Sequence, residues 1–253
     1  MPTPLRPFAA LLLLLALLAP GRTAADGIPV DLELVLAVDV SGSIDPDEAE
    51  LQRRGYVQAF LNPKVMNAIR SGPYGRIAVA YVEWAGDHYQ QTVVGWTLLD
   101  GRDAIAGFAD RLAETGIGRE RWTSISAGLA YAAALFESSG FEGTRRVIDI
   151  SGDGPNNSGP PLIPMRDAVV SRGITINGLP IVNDRPNPWG GEPPRDLDAY
   201  YRDNVIGGPG AFIVVADGFD AFAQAILTKL LLEIAGAAPA TQHAACPRCG
   251  ELP

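Results

Sequence analysis

Residues 32–48 read LELVLAVDVSGSIDPDE, and this stretch decides the fold class. It begins with a nearly uninterrupted apolar run, Leu32–Asp39, whose length and composition are typical of a buried strand. A helix is predicted from Pro46 to Phe60, because Asp45 can cap it, proline suits its first position and Glu48 completes a capping box. A buried strand that leads into a capped helix indicates an α/β domain.

The rest of the chain continues to alternate strand and helix patterns. Further strands are predicted at residues 76–84, 89–96, 146–150, 174–181 and 211–215, and further helices at 102–114, 124–137, 164–172, 197–204 and 218–235. Such alternation is typical of a parallel sheet covered by helices on both faces. The short connection between the strands at 76–84 and 89–96 predicts one antiparallel edge strand. We therefore expect residues 26–236 to form one three-layer α/β domain with a doubly wound, mostly parallel sheet.

The first 25 residues have the pattern of a signal peptide. Arg6 precedes an apolar run from Phe8 to Ala19, and small residues at 23–25 offer a cleavage site. The run is shorter than the roughly 20 residues that a membrane-spanning helix needs. An uncleaved N-terminal anchor is the alternative. We expect an exported protein, periplasmic or extracellular, without a membrane-spanning segment after signal cleavage.

The composition disfavours several classes of function. The 253 residues include 20 Lys and Arg against 29 Asp and Glu, a formal charge of −9 that repels nucleic acid. Residues 237–253 lack hydrophobic periodicity and are predicted to be a disordered tail. This tail contains Cys246 and Cys249, a CxxC pattern that favours a local disulfide over redox or metal chemistry.

Polar side chains that could hold a metal ion follow two predicted strands and precede one helix. Asp39, Ser41 and Ser43 alternate after the first strand, Thr123 lies just before a helix, and Asp153 follows the strand at 146–150. Ligands of an open parallel sheet bind beyond the carboxyl ends of its strands. Hydroxyl and carboxylate oxygens suit Mg²⁺, with Mn²⁺ or Ca²⁺ compatible. The alternative is that these side chains only form turn and cap hydrogen bonds.

The combination of D-x-S-x-S, a later threonine and an aspartate after a strand resembles the von Willebrand factor A (VWA) domain with its metal-ion-dependent adhesion site (MIDAS). The chain also looks like exported bacterial VWA proteins that form a family of unknown function. The resemblance implies that Ser41, Ser43 and Thr123 bind a divalent cation directly, while Asp39 and Asp153 bind it directly or through water. It further implies a protein partner whose Asp or Glu completes the coordination.

The expected function is therefore metal-dependent protein binding rather than catalysis. The chain lacks the common hydrolase and nucleotide-binding motifs, and neither His88 nor His243 is expected at the site. A metal-assisted hydrolase and a structural domain with an unused site remain alternatives. Residues 183–195 are rich in proline and contain Trp189, so this insertion is either a partner-binding loop or an ordinary connection.

Overall fold

A computed structural model describes residues 27–183 and 193–236, together with the backbone of Gln242–Ala244. Nine strands are described in chain order: β1 (Ile28–Val30), β2 (Glu33–Asp39), β3 (Ile77–Trp84), β4 (Gln90–Leu99), β5 (Phe141–Gly143), β6 (Arg146–Gly152), β7 (Ile174–Val182), β8 (Val214–Asp217) and β9 (Gln242–Ala244). Seven α-helices accompany them: α1 (Pro46–Leu61), α2 (Pro63–Arg70), α3 (Arg102–Glu114), α4 (Ile125–Leu135), α5 (Leu162–Ser171), α6 (Leu197–Tyr200) and α7 (Phe222–Ala235).

Seven of the strands form the central sheet, in the spatial order β4-β3-β2-β6-β7-β8-β9. All neighbouring pairs are parallel except β3 and β4, which are antiparallel. The predicted α/β sheet with one antiparallel pair is therefore confirmed. The chain continues from β2 to β3 on one side, whereas β6 lies on the other side of β2. A crevice forms at such a reversal, beyond the carboxyl ends of the two strands.

Strand β2 shows how the sequence pattern produces three layers. All seven of its residues are buried, and successive side chains point to opposite faces of the sheet. Leu34 and Leu36 join a core formed with α1, α2, α3 and α7. Val35 and Ala37 join a second core formed with α4, α5 and α6. An unbroken apolar run is needed here because both faces of the strand are covered.

The helix predicted after β2 begins where the sequence indicates. The Asp45 side chain accepts a hydrogen bond from the Glu48 backbone N–H at 2.8 Å, and the Glu48 carboxylate accepts one from the Asp45 backbone N–H at 3.0 Å. This reciprocal capping box, with proline at the first helical position, confirms the predicted start of α1. It also fixes where the loop between β2 and α1 ends.

Several elements differ from the sequence prediction. The prediction omits helix α2, an eight-residue helix that directly follows α1, and the small parallel pair β1–β5, whose strands have three residues each. Strand β9 pairs with β8, so the prediction of a disordered tail is wrong for Gln242–Ala244. The reason is that β8 offers an unpaired edge to which a short segment can bond. The predicted signal peptide, Trp189 and the two cysteines lie outside the described residues.

A buried charge network joins α7 to the centre of the sheet. Lys229 Nζ lies 2.7 Å from Asp149 Oδ1 on β6 and 2.6 Å from Glu233 Oε1, and all three side chains are inaccessible to solvent. Burial raises the pKa of Asp149 to about 7, although the lysine opposes this shift. The network fastens the last helix to the strand that leads to Asp153. Among the described residues, no helix is long and apolar enough to cross a membrane.

Candidate metal centre

The two candidate carboxylates lie at the carboxyl ends of neighbouring strands. Asp39 ends β2, and Asp153 follows β6 by one residue. The pairing of Val38 with Ser151 places Gly152 beside Asp39. A Cβ atom at Gly152 would lie only 2.8 Å from Asp39 Oδ2, so glycine permits this close approach. The strand register therefore brings the two aspartates to one edge.

The loop after β2 turns both serine hydroxyls towards this edge. The Ser41 backbone N–H donates to Asp39 Oδ1 at 2.7 Å, which orients the carboxylate. The hydroxyls of Ser41 and Ser43 lie 3.1 Å apart, and Ser43 Oγ donates to Asp153 Oδ1 at 2.7 Å. Four of the five predicted residues are thus joined by one continuous series of hydrogen bonds.

Thr123 reaches the same site from the loop before α4. Its backbone N–H donates to Asn157 Oδ1 at 2.8 Å, and the Asn157 backbone N–H donates to the Thr123 carbonyl at 2.8 Å. A Cβ atom at Gly154 would lie 3.9 Å from Thr123 Oγ1, which places that hydroxyl beside the loop after β6. The structure therefore brings all five predicted residues together.

Two asparagines that hold the loops together were not singled out from the sequence. Besides the contacts of Asn157, Asn156 Oδ1 accepts a hydrogen bond from the Ser126 backbone N–H at 3.0 Å. Asparagine side chains often form hydrogen bonds with backbone groups in loops. The Asn156–Asn157 pair in the loop after Asp153 is therefore the sequence feature that could have indicated this role. Their distant partners follow only from the tertiary structure.

Both carboxylates are buried, and neither forms an ion pair with a cationic side chain of the described residues. Burial raises the pKa of Asp39 well above its ordinary value, and repulsion from Asp153 raises it further. Burial also raises the pKa of Asp153 to about 6, although the hydrogen bond from Ser43 opposes this shift. Asp39 Oδ2 has no hydrogen-bond partner among the described residues. A cation at this position would supply the missing interaction, so the donor set fits a hard divalent ion.

The site opens to solvent through a cleft of about 390 Å³. The residues that line it include Ser41, Ser43 and Thr123, together with Trp122 and Asn157. Trp122 is 65% exposed and has a positive φ of 68°, a conformation that is uncommon for a bulky residue. The sequence analysis did not single out this tryptophan.

The structure places His88 in the predicted connection between β3 and β4. It lies in the β3–β4 loop, four residues after the end of β3, and therefore at the same edge of the sheet as Asp39. Its imidazole is 93% exposed and lies 3.5 Å from Asp87, not from any of the five candidate ligands. Among the described residues, no group of three or more His, Cys, Asp or Glu side chains is arranged to hold a metal ion. The candidate site thus depends on hydroxyl donors.

Solved structures with the same fold include several adhesion and matrix proteins. Proximal thread matrix protein 1 from the mussel byssus, in a structure with a zinc-occupied MIDAS motif, has a TM-score of 0.59 at 13% identity. The match covers 83% of this chain and 50% of the mussel chain. The pilus adhesin SpaC from Lactobacillus rhamnosus GG has a TM-score of 0.57 at 15% identity, with 83% and 31% of the two chains covered.

A von Willebrand factor type A protein from Catenulispora acidiphila matches with a TM-score of 0.55 at 13% identity, covering 81% of this chain and 43% of that one. This chain thus spans about half the length, or less, of these three neighbours. At these identities the matches show the VWA fold. No curated protein matches the chain by sequence. Residues 29–238 match the family described as "Protein of unknown function (DUF1194)", and the chain therefore belongs to this family, on a VWA fold.

Proposed function

We propose that the protein is an exported module that binds another protein through a divalent cation. The cation, with Mg²⁺ preferred, is held by Ser41, Ser43 and Thr123 and by Asp39 and Asp153, directly or through water. An Asp or Glu side chain of the partner completes the coordination. The protein acts in the periplasm or outside the cell, and it does not catalyse a reaction.

The convergence of the five oxygen-bearing side chains carries this proposal. They come from three segments of the chain, namely the end of β2 with the loop that follows it, the loop before α4 and the loop after β6. A buried oxygen of Asp39 has no hydrogen-bond partner among the described residues. Mg²⁺ takes about six oxygen ligands and usually keeps some of them as water. Neutral hydroxyl ligands leave much of its positive charge uncompensated, so the ion attracts a carboxylate from outside. An acidic protein can in this way bind an acidic group.

The fold neighbours lend support to binding over catalysis. One of them is named as a pilus adhesin and another as a thread matrix protein with a zinc-occupied MIDAS motif. The imidazole of His88 is exposed and lies 3.5 Å from Asp87, and none of the described contacts joins it to the five candidate ligands. A general base needs hydrogen-bond reach to the water that it activates. The geometry therefore favours adhesion over metal-assisted hydrolysis.

Calorimetric titration of the purified protein with MgCl₂, MnCl₂ and ZnCl₂ tests the metal site. We expect one bound ion per chain in the wild type and loss of binding in Ser43→Ala. Ser71→Ala removes an exposed hydroxyl at the end of α2 and serves as the matched control. Equal binding in both variants would contradict the proposed site. Absence of binding in the wild type would favour a structural domain with an unused site.

The binding function is tested with envelope extract. We expect the wild type to retain a specific protein that EDTA releases, and Asp39→Ala to retain none of it. Bands retained equally by both would contradict metal-dependent binding. Metal-dependent turnover of phosphoester or ester substrates by the purified protein would instead support the hydrolase alternative.

A further inference from the structure

The exposed indole of Trp122 stands directly beside the candidate metal site. Trp122 precedes Thr123 in the chain, and both residues line the same cleft. With 65% of its surface accessible, Trp122 is the most exposed large apolar residue in the described part of the chain. Burying so large an apolar surface against a partner would be favourable, and tryptophan is enriched at the energetic centres of interfaces.

The backbone at Trp122 is held in an unfavourable conformation by contacts on both sides. Before it, the Arg121 carbonyl accepts a hydrogen bond from the Gly86 N–H at 3.1 Å. After it, Thr123 is bound to Asn157, and the Ser124 N–H donates to the Ala85 carbonyl at 2.7 Å. A positive φ is energetically unfavourable for a bulky residue and persists only where the surroundings impose it.

Gly86 allows this arrangement. A Cβ atom at Gly86 would lie 2.7 Å from the Arg121 carbonyl oxygen and 3.2 Å from Trp122 Cβ. The glycine therefore lets the loop that carries Trp122 approach the β3–β4 loop closely. Hydrogen bonds on both sides thus fix the backbone that carries the exposed indole, and a fixed backbone lowers the entropy cost of binding.

The charges around the indole indicate what kind of partner fits. Arg119 and Arg121, both exposed, precede Trp122 in the same loop, within a chain whose overall charge is −9. Glu120 lies between them, and its N–H donates to the Val40 carbonyl at 3.3 Å, which keeps the loop beside the serine loop. Of the two arginines, Arg121 lines the cleft, and its positive charge together with that of a bound metal ion would complement an acidic segment.

We propose that Trp122 binds an apolar side chain of the partner that lies within two positions of the metal-bound Asp or Glu. The partner segment thus carries both an acidic and an apolar side chain. Trp122 determines the preference for the apolar one. Residues two apart in an extended chain are about 7 Å from each other and point to the same side, so a partner side chain near the metal-bound acid lies on the side that contacts the cleft. This inference rests on the proposed function, because it specifies the partner at the same site.

A peptide-display selection in MgCl₂ tests the metal-dependent binding of an acid and the role of Trp122 separately. The library contains heptapeptides with one central Asp or Glu and random flanks, and bound members are eluted with EDTA. For the wild type we expect enrichment of Leu, Ile, Phe, Tyr or Trp within two positions of the acid. The variant Trp122→Gly keeps the positive φ without strain, and we expect it to retain acidic peptides but lose this apolar preference. Tyr74→Gly, which removes another exposed aromatic side chain, is the control and should keep it.

Anisotropy titrations with the most enriched peptide give the magnitude. We expect Trp122→Gly to weaken binding about tenfold or more, Trp122→Phe to restore most of it, and Mg²⁺ affinity to stay within about twofold in both. An unchanged apolar preference in Trp122→Gly, or acidic peptides without any apolar preference in the wild type, would overturn the role of Trp122 and leave the metal-dependent function standing. No peptide eluted by EDTA would overturn the proposed function itself, and this inference with it.

Discussion

Asp153→Asn should make the metal-free protein more stable at neutral pH, although it removes a proposed ligand. Asp153 is buried, and its pKa is raised to about 6 from an unfolded value of about 3.9. The folded state therefore binds the proton more tightly than the unfolded state. The contribution of this carboxyl to folding is most favourable below about pH 4, declines as the pH rises to about 6, and is constant above that value.

The magnitude follows from this shift of roughly 2 pKa units. At 1.36 kcal/mol for each unit, ionisation of Asp153 opposes folding by up to about 3 kcal/mol at pH 7.5. Asparagine avoids that cost. For a domain of roughly 150–250 residues, 1 kcal/mol changes Tm by about 2–4 °C, so Asp153→Asn should raise Tm by up to about 6–12 °C in EDTA. At pH 4 the increase should vanish.

A divalent cation should cancel most of this difference in stability. At a concentration of 100 times Kd, Mg²⁺ stabilises the wild type by about 2.7 kcal/mol, whereas the variant lacks a ligand and gains little. Scanning calorimetry at pH 4 and pH 7.5, each in EDTA and in MgCl₂, measures the Tm of the wild type and of Asp153→Asn under these four conditions. Asp110→Asn, which neutralises an exposed aspartate on α3, is the matched control and should change Tm only slightly. A Tm decrease in EDTA that is equal at both pH values, or equal Mg²⁺ stabilisation of variant and wild type, would refute the reasoning.

Three further substitutions test other contacts of the structure. Lys229→Met should lower the free energy of unfolding in urea by about 3–5 kcal/mol, since two buried carboxylates lose their cation; a loss below 1 kcal/mol would contradict the network. Gly152→Ala should weaken Mg²⁺ binding in calorimetry because its methyl group would crowd the nearest carboxylate oxygen, whereas Gly95→Ala, with open space around it, should not. Asn157→Ala should reduce Mg²⁺ affinity about tenfold by releasing Thr123, and unchanged affinity would show that the asparagine does not position it.

Much of the fold was predictable because its signals are local. The apolar run of β2 requires cover on both faces, and the capping box at Asp45 and Glu48 marks the start of α1 within one residue. The spacing of Asp39, Ser41 and Ser43 is also a property of one short stretch. In contrast, β9 depends on the free edge of β8, which no local pattern reveals.

The sequence by itself thus determined the α/β class, the antiparallel edge strand and the five candidate ligands, since each follows from short-range periodicity, capping or a motif. Only the tertiary structure decided that Thr123 is held by Asn157, that two aspartates share one buried edge with raised pKa values, and that Trp122 faces outwards. These features depend on atoms contributed by segments far apart in the chain. The left-handed backbone of Trp122 is the clearest case, because the hydrogen bonds that impose it come from the β3–β4 loop and the loop after β6.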